Sequence, residues 1–260
     1  MSPRLLPVTI TARLGTVLVL GLLAVLVPLL PLPPQSAMPA VTAVPAAVAA
    51  PDPAAEPAPA PAERKRCVGR VALTFDDGPS PRVTPGLVRE LQRLHVPATF
   101  FMVGRNVAAH PETARLVQRA GLTVGNHTWS HADLRTLSGP QVRRELARTR
   151  QALVRAGVRP SRLARPPYGA LDSEARRALR REGLVPVLWT IDSRDWADGS
   201  TRVIARRILR ALRPGDNVVL QHDGVARSPL SVAAVAEVVT KARRRGYCFT
   251  GLDGSGDVRH

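Results

Sequence analysis

Aromatic side chains are scarce in this 260-residue chain, which has three Trp, two Tyr and four Phe. A core built from it must be mostly Val, Leu, Ile and Ala. An extended platform of stacked aromatics, as in single-stranded nucleic-acid binders, is excluded. Cysteine is scarcer still: Cys67 and Cys248 are too few for a disulfide scaffold or a cysteine-rich zinc site. Acidic residues are outnumbered 20 to 37 by Lys and Arg, leaving a net charge of +17 carried almost wholly by arginine. The first 62 residues hold two basic and two acidic side chains, so the whole excess lies downstream. Such a surplus favours anionic surroundings through its summed long-range field. Nucleic acid, a membrane surface and anionic wall polymers all satisfy it, and so does a solvated arginine-rich surface. No internal repeat is visible.

At the front end, Arg4 and Arg13 precede an apolar run from Leu14 to Leu32. That is a positive segment followed by a hydrophobic one, as in an export signal. Its length approaches that of a membrane span. Residues 1–32 are therefore read as a signal peptide or an uncleaved signal anchor, with the body of the protein secreted or held outside the membrane. Residues 33–66 form a Pro/Ala-rich linker with no apolar periodicity to bury, an extended tether. A folded domain is expected over 67–250, and residues 251–260 are read as a C-terminal tail.

Within the domain, short apolar runs alternate with amphipathic ones. Strands are expected at 71–75, 98–103, 123–126, 163–165, 184–191, 217–221 and 247–250. Helices are expected at 84–94, 111–120, 138–156, 172–182, 200–212 and 231–245. Thr84-Pro85, Ser138 with Gln141, and Asp172 supply helix-start signals, while Gly121, Gly157 and Gly246 supply stops. Seven strands joined by crossover helices imply a parallel sheet. Asp76-Asp77, His127, Arg165, Asp192 and His222 each follow the C-terminal end of a different strand. Polar groups on one rim favour a closed barrel over an open sheet. The expected fold is α/β, a distorted seven-stranded (β/α) barrel.

Those rim residues are the candidates for chemistry. Adjacent carboxylates at Asp76 and Asp77 point in different directions, so one can bind a metal while the other moves protons. His127 and His131, four apart, reach one ion if they share a helical turn. Two imidazoles and one carboxylate leave a position open for water or substrate. Pro166-Pro167 fixes where Tyr168 presents its backbone N–H. Asp192 and Asp195 are placed to hold Arg165 or a histidine, and Trp196 to wall an apolar pocket. Singly, each has an ordinary alternative: a turn, a capping loop, a surface arginine or a structural histidine.

Together they resemble one family. Thr74-Phe75-Asp76-Asp77-Gly78-Pro79, His127-Thr128-Trp129-Ser130-His131, Arg165-Pro166-Pro167-Tyr168, Asp192-Ser193-Arg194-Asp195-Trp196 and Leu220-Gln221-His222 are similar, in order and spacing, to the five motifs of the polysaccharide deacetylases. These are carbohydrate esterase family 4, the NodB-homology domain. The resemblance implies a divalent metal, zinc in the first instance or cobalt or another ion, on Asp77, His127 and His131. It implies Asp76 as general base, held by Arg165, and His222 as the acid for the leaving amine, tethered by Asp195. The Tyr168 N–H would meet the oxyanion, and Trp196 and Leu220 would line the acetyl pocket.

The implied substrate is an N-acetylated sugar polymer such as peptidoglycan or chitin oligomers. Two rival readings are an O-acetyl esterase on an acetylxylan-like polymer and a non-catalytic basic wall-binding protein. The expected partners are that substrate, anionic wall polymers, and the membrane if the first segment is uncleaved. No nucleic-acid partner is expected, and the chain is read as a monomer. In a nearly closed barrel the first and last strands are neighbours, so Cys67 and Cys248 are expected to form a disulfide in an oxidising location.

Overall fold

A computed structural model describes residues 67–260; the export segment and linker expected over 1–66 lie outside the described residues. The element order is β1 (Gly69–Asp76), α1 (Thr84–Arg93), β2 (Ala98–Met102), α2 (Gly104–Ala109), α3 (Pro111–Arg119), β3 (Thr123–Asn126) and α4 (Gly139–Arg155). It continues with β4 (Leu163–Ala164), α5 (Ser173–Arg181), β5 (Val185–Pro186), β6 (Ile191–Asp192), α6 (Thr201–Ala211), β7 (Gly215–His222), α7 (Ser228–Arg244) and β8 (Tyr247–Phe249). All seven strand pairings are parallel, and the sheet order is β5-β4-β3-β2-β1-β7-β6, with β8 on β1. This is the distorted (β/α) barrel expected from the alternation.

Side-chain alternation divides the core into two layers. Val71, Leu73 and Phe75 of β1 and Phe100 and Met102 of β2 face outward and pack beneath the helices. Ala72 and Phe101 face inward and meet Leu163 and Val187. Strands covered on both faces read as continuous apolar runs, which is why β1 and β2 carry so few polar residues. Two helix starts behave as their sequences indicate, whereas Thr84 lies inside α1 with its hydroxyl on Asp223 and α7 begins at Ser228, three residues before the expected start. The Ser138 amide donates to Gln141 Oε1 at 2.8 Å, and Asp172 Oδ1 accepts from the Ala175 amide at 2.8 Å.

The strand expected over 184–191 is divided. The amides of Val185 and Val187 both donate toward β4, so Pro186 presents its N–H-less nitrogen to the opposite edge. The chain then leaves β4, and the Thr190 amide reaches Val218 O on β7. One kinked segment thus closes the ring between β4 and β7. Helix α2 has no counterpart in the sequence reading, which ran directly from the second strand to the helix at Pro111.

The last ten residues are not a free tail. Leu252 and Val258 form an antiparallel bridge and are buried at 1% and 3% exposure. They join Ala72, Phe101, Leu163 and Val187 and fill the base of the barrel.

β8 pairs with Gly69–Val71, the stretch of β1 that precedes its pairing with β2. The first and last strands are neighbours as expected, and Cys67 and Cys248 are joined by a disulfide with a Cα–Cα distance of 5.7 Å. It closes a loop spanning 181 residues. Chain entropy gives such a link a ceiling of roughly 5 kcal/mol. Native protein is expected to show no alkylatable thiol without reductant, and reductant should lower Tm. Full labelling of both cysteines in unreduced protein would reject the link.

Candidate active site

The interior of the barrel is apolar at its base and polar at the C-terminal rim. Thr74 and Asp76 share the inward face of β1 with Ala72. Asp77 follows in the left-handed region at φ 73°, a conformation a non-glycine residue adopts only when its surroundings impose it. The Asn106 side chain of α2 helps impose it, donating to Asp77 O at 2.7 Å.

His127 follows β3, and its Nδ1 lies 2.6 Å from Arg165 O. A carbonyl there requires Nδ1–H as donor, which leaves Nε2 with a lone pair. That Nε2 lies 3.4 Å from Asp77 Oδ1, and His131 Nε2 lies 3.0 Å from the same oxygen. The three ligand atoms sit within 4.8 Å of one another, and Asp77 Oδ1 is buried without a hydrogen-bond partner. Burial alone would raise the Asp77 pKa; hydrogen bonds and charge from His127 and His131 in their imidazolium form outweigh it and hold the carboxyl well below its usual range. Two nitrogen donors and an orphaned carboxylate oxygen converging on one point fit a divalent cation with an open coordination position.

The histidines do not share a helical turn, as their spacing suggested. They lie on an irregular loop with Thr128 and His131 at φ 63° and 62°. Glu145 of α4 shapes this loop, its Oε2 accepting from Trp129 N (3.0 Å), Ser130 N (2.8 Å) and Ser130 Oγ (2.9 Å). Asn126 Oδ1 accepts from Thr128 N at 2.9 Å.

Arg165, 1% exposed, is the largest fully buried side chain. Its Nη1 donates to Asp76 Oδ1 (2.8 Å) and Thr74 Oγ1 (2.7 Å). Nε and Nη2 donate to Val187 O and Leu188 O, each at 3.2 Å. One guanidinium therefore clamps Asp76 and staples the kinked segment that closes the ring. Asp192 does not hold Arg165. Its Oδ1 accepts from Arg194 N at 2.8 Å and shapes the turn after β6.

Across the rim, β7 pairs with β1 so that His222 lies beside Asp76. Asp195, fully buried, receives His222 with both oxygens: Nδ1 at 2.7 Å and the backbone amide at 2.8 Å. Burial would lower the His222 pKa. The Asp195 hydrogen bond and charge outweigh it, with smaller help from Asp76 and Asp77, and raise it to about 9. Asp195 is correspondingly held below the usual carboxylate range, against its own burial. Tyr168 sits at φ 60°, its ring edge-on to His131 with centroids 4.8 Å apart, and among the described residues its N–H has no acceptor. Leu220 is buried on the inward face of β7, and Trp196 is half exposed on the rim.

Thr74, Asn106, Asn126, Glu145 and Asp223 were not singled out from the sequence. Asp223 is fully buried, receives the Thr84 hydroxyl and donates its amide to Asp76 O at 3.0 Å. Burial, with Asp77 and Asp76 nearby, raises its pKa to about 7. A Cβ at Gly78 would lie 2.5 Å from the Asp223 oxygens, so the loop after Asp77 needs glycine there. Adjacency to His222 was the one available sequence signal for Asp223.

A parallel (β/α) barrel whose rim gathers three candidate cation ligands, a clamped second carboxylate and a carboxylate-tethered histidine has the groups of a hydrolase site. Comparisons narrow the class. A family model described as polysaccharide deacetylase matches residues 63–187. The chain is 39% identical over 193 residues to a chitooligosaccharide deacetylase of Rhizobium leguminosarum, covering 70% of this chain and 89% of that protein. It is 34% identical over 185 residues to a peptidoglycan-N-acetylglucosamine deacetylase of Listeria monocytogenes, covering 71% of this chain but only 38% of that longer protein. A family 4 carbohydrate esterase from Streptomyces lividans, solved with acetate, superposes with a TM-score of 0.68 at 34% identity, over 75% of this chain and 98% of that one. The chain belongs to the polysaccharide deacetylase family, carbohydrate esterase family 4.

Proposed function

We propose that this protein hydrolyses the N-acetyl groups of N-acetylglucosamine units in a cell-wall-type polysaccharide, releasing acetate and a free amino sugar. The observation that carries the reading is the convergence of Asp77 Oδ1, His127 Nε2 and His131 Nε2 beside the Arg165-clamped Asp76. Asp77, His127 and His131 would hold a divalent ion, zinc in the first instance or cobalt. Bound there, it would supply Lewis-acid polarisation of the acetyl carbonyl and a water acidified toward neutral pH.

The remaining work falls to the chain's own groups. Asp76 has Oδ1 committed to Arg165, which leaves Oδ2 to take the proton from the attacking water. The uncommitted Tyr168 N–H faces the developing oxyanion; such a preorganised donor is worth roughly 3 kcal/mol. An amide nitrogen leaves only when protonated. His222 Nδ1 is bound to Asp195, so Nε2 carries the proton handed to the leaving nitrogen. Leu220 and Trp196 border the acetyl methyl.

The names of the relatives point to peptidoglycan and chitin oligomers. The net charge of +17, the tether and the export segment expected over residues 1–66 support peptidoglycan outside the membrane. The tethered, proton-holding His222 favours amide over ester, because an ester leaving group needs little protonation.

The purified full chain is expected to bind one divalent metal ion per molecule and to release acetate from peptidoglycan or chitooligosaccharides. Chelator should abolish turnover and zinc or cobalt restore it. A metal-free protein inert on every acetylated sugar with either ion supplied overturns the reading, and turnover of acetylxylan alone overturns the amide assignment.

A further inference from the structure

Arginine is plentiful over the whole surface, and the α6–α7 face carries a row of it without ion-pair partners. Arg202, Arg206 and Arg210 stand at i, i+4 and i+8 on α6, so their heads form one row about 6 Å apart. Lys241 on the last turn of α7 and Arg245, the residue just past its end, line the other side of the same cleft, Arg245 Nη1 donating to Leu209 O at 2.7 Å. The cleft has a volume of about 630 Å³, with Leu209 and Glu237 completing its wall. Five cations thus face one carboxylate, and Glu237 is already bound to Lys241 at 2.5 Å.

Like charges one turn apart on a helix repel, so the row opposes helix stability; α5 carries the same spacing at Arg176 and Arg180 and provides the comparison. Among the described residues, Arg202, Arg206 and Arg210 have no side-chain ion pair. Their neighbour Arg207 does, bonding Asp198 at 3.1 Å and Ser193 O at 2.7 Å. The unpaired row is therefore the one that lines the cleft. Guanidinium forks match phosphate oxygens in pairs, which an ammonium does not. No aromatic lines the cleft, so nothing there stacks a base.

We infer that the α6–α7 cleft docks a linear phosphodiester-type polymer, reading its backbone charge and not any base. Both helices run from the catalytic rim toward the base of the barrel, so a chain lying in the cleft passes along the outside and leaves the rim open. The site is independent of the deacetylase reading, and either can fail without the other.

Two charge-matched variants of the full chain test it. One carries Arg202→Gln, Arg206→Gln and Arg210→Gln. The control carries Arg176→Gln, Arg177→Gln and Arg180→Gln, three exposed arginines of α5. The probe is linear inorganic polyphosphate, titrated at several salt concentrations. The α6 variant is expected to bind at least ~10-fold more weakly, with a log K against log salt slope shallower by about 2. The control should lose less than ~3-fold. Both should keep the native circular dichroism and the acetate release of the parent. Equal losses in the two variants would assign binding to net charge and overturn the site, as would no loss in either. A single-stranded oligonucleotide of equal phosphate count should bind no tighter than polyphosphate; tenfold tighter binding would overturn base-independent recognition.

Discussion

Asp76→Asn is expected to lower acetate release by ~10²–10⁴-fold while leaving the metal content of the protein unchanged. The amide keeps an oxygen for Arg165 Nη1 but cannot take a proton from water. Asp77, His127 and His131, the three residues whose ligand atoms converge, are untouched. The same change strands the buried Arg165 charge, which lacks any other carboxylate partner among the described residues. Breaking a buried pair from one side costs about 3–5 kcal/mol, so Tm should fall as well. Measuring metal stoichiometry and turnover below the variant's Tm separates the two effects. A folded, metal-replete Asp76→Asn protein that retains a tenth or more of parental turnover would remove Asp76 from the base role.

Asp195→Asn is expected to move the alkaline limit of turnover downward by about 2.5 pH units. With Asp195 ionised, His222 stays protonated until pH approaches about 9. Without that charge, burial is opposed only by the more distant Asp76 and Asp77, and the imidazole returns toward or below its ordinary 6.5. At pH 8 the protonated fraction falls by roughly 30-fold, and kcat on an N-acetyl substrate should follow it. An O-acetyl substrate should lose far less. An unchanged pH profile would show that His222 does not supply the proton.

Stability carries the same signature. The folded pKa of His222 lies above its unfolded value, so its stabilisation is complete below about 6.5 and is lost as pH rises through about 9. The contribution is at most on the order of 3 kcal/mol. A cation on Asp77 would cancel the part due to the rim carboxylates. Asp195, shifted downward, contributes above its ordinary pKa near 3.8 and loses that contribution as pH falls below it. Parent and Asp195→Asn should therefore differ most in Tm between about pH 4 and 6.5, and converge above pH 9.

The candidate set was readable because its members need particular chemistry at strand ends. A carboxylate pair, two imidazoles, an arginine and a tethered histidine are rare neighbours of apolar runs, and the runs themselves announce a parallel sheet. Positioning residues escaped for the opposite reason. Glu145 looks like any polar residue on a helix, and Asn106 like a loop asparagine, until the fold brings them to Ser130 and Asp77. The spacing of His127 and His131 suggested a helix. The actual loop satisfies the same convergence through left-handed residues at 128 and 131, which no residue preference reveals.

Pro186 shows the limit most plainly. Its position within an apolar run is visible, yet whether it ends a strand, edges a sheet or lets the chain change partners depends on which strands flank it. Residues 251–260 read as a polar ending, with only Leu252 and Val258 to bury, and both matter because the base of the barrel is open to receive them.

Which groups are present, their order along the chain and the period of the apolar residues between them follow from the residues alone, since these express covalent identity and local backbone geometry. The clamp of Arg165 on Asp76 and the Asp195–His222 pairing were expected from the family resemblance and not from the residues themselves. The split of one strand between two partners and the place of the unpaired arginine row beside α7 were settled only when distant segments packed. Each depends on distances between residues far apart in the chain, and burial alone makes those distances energetically decisive.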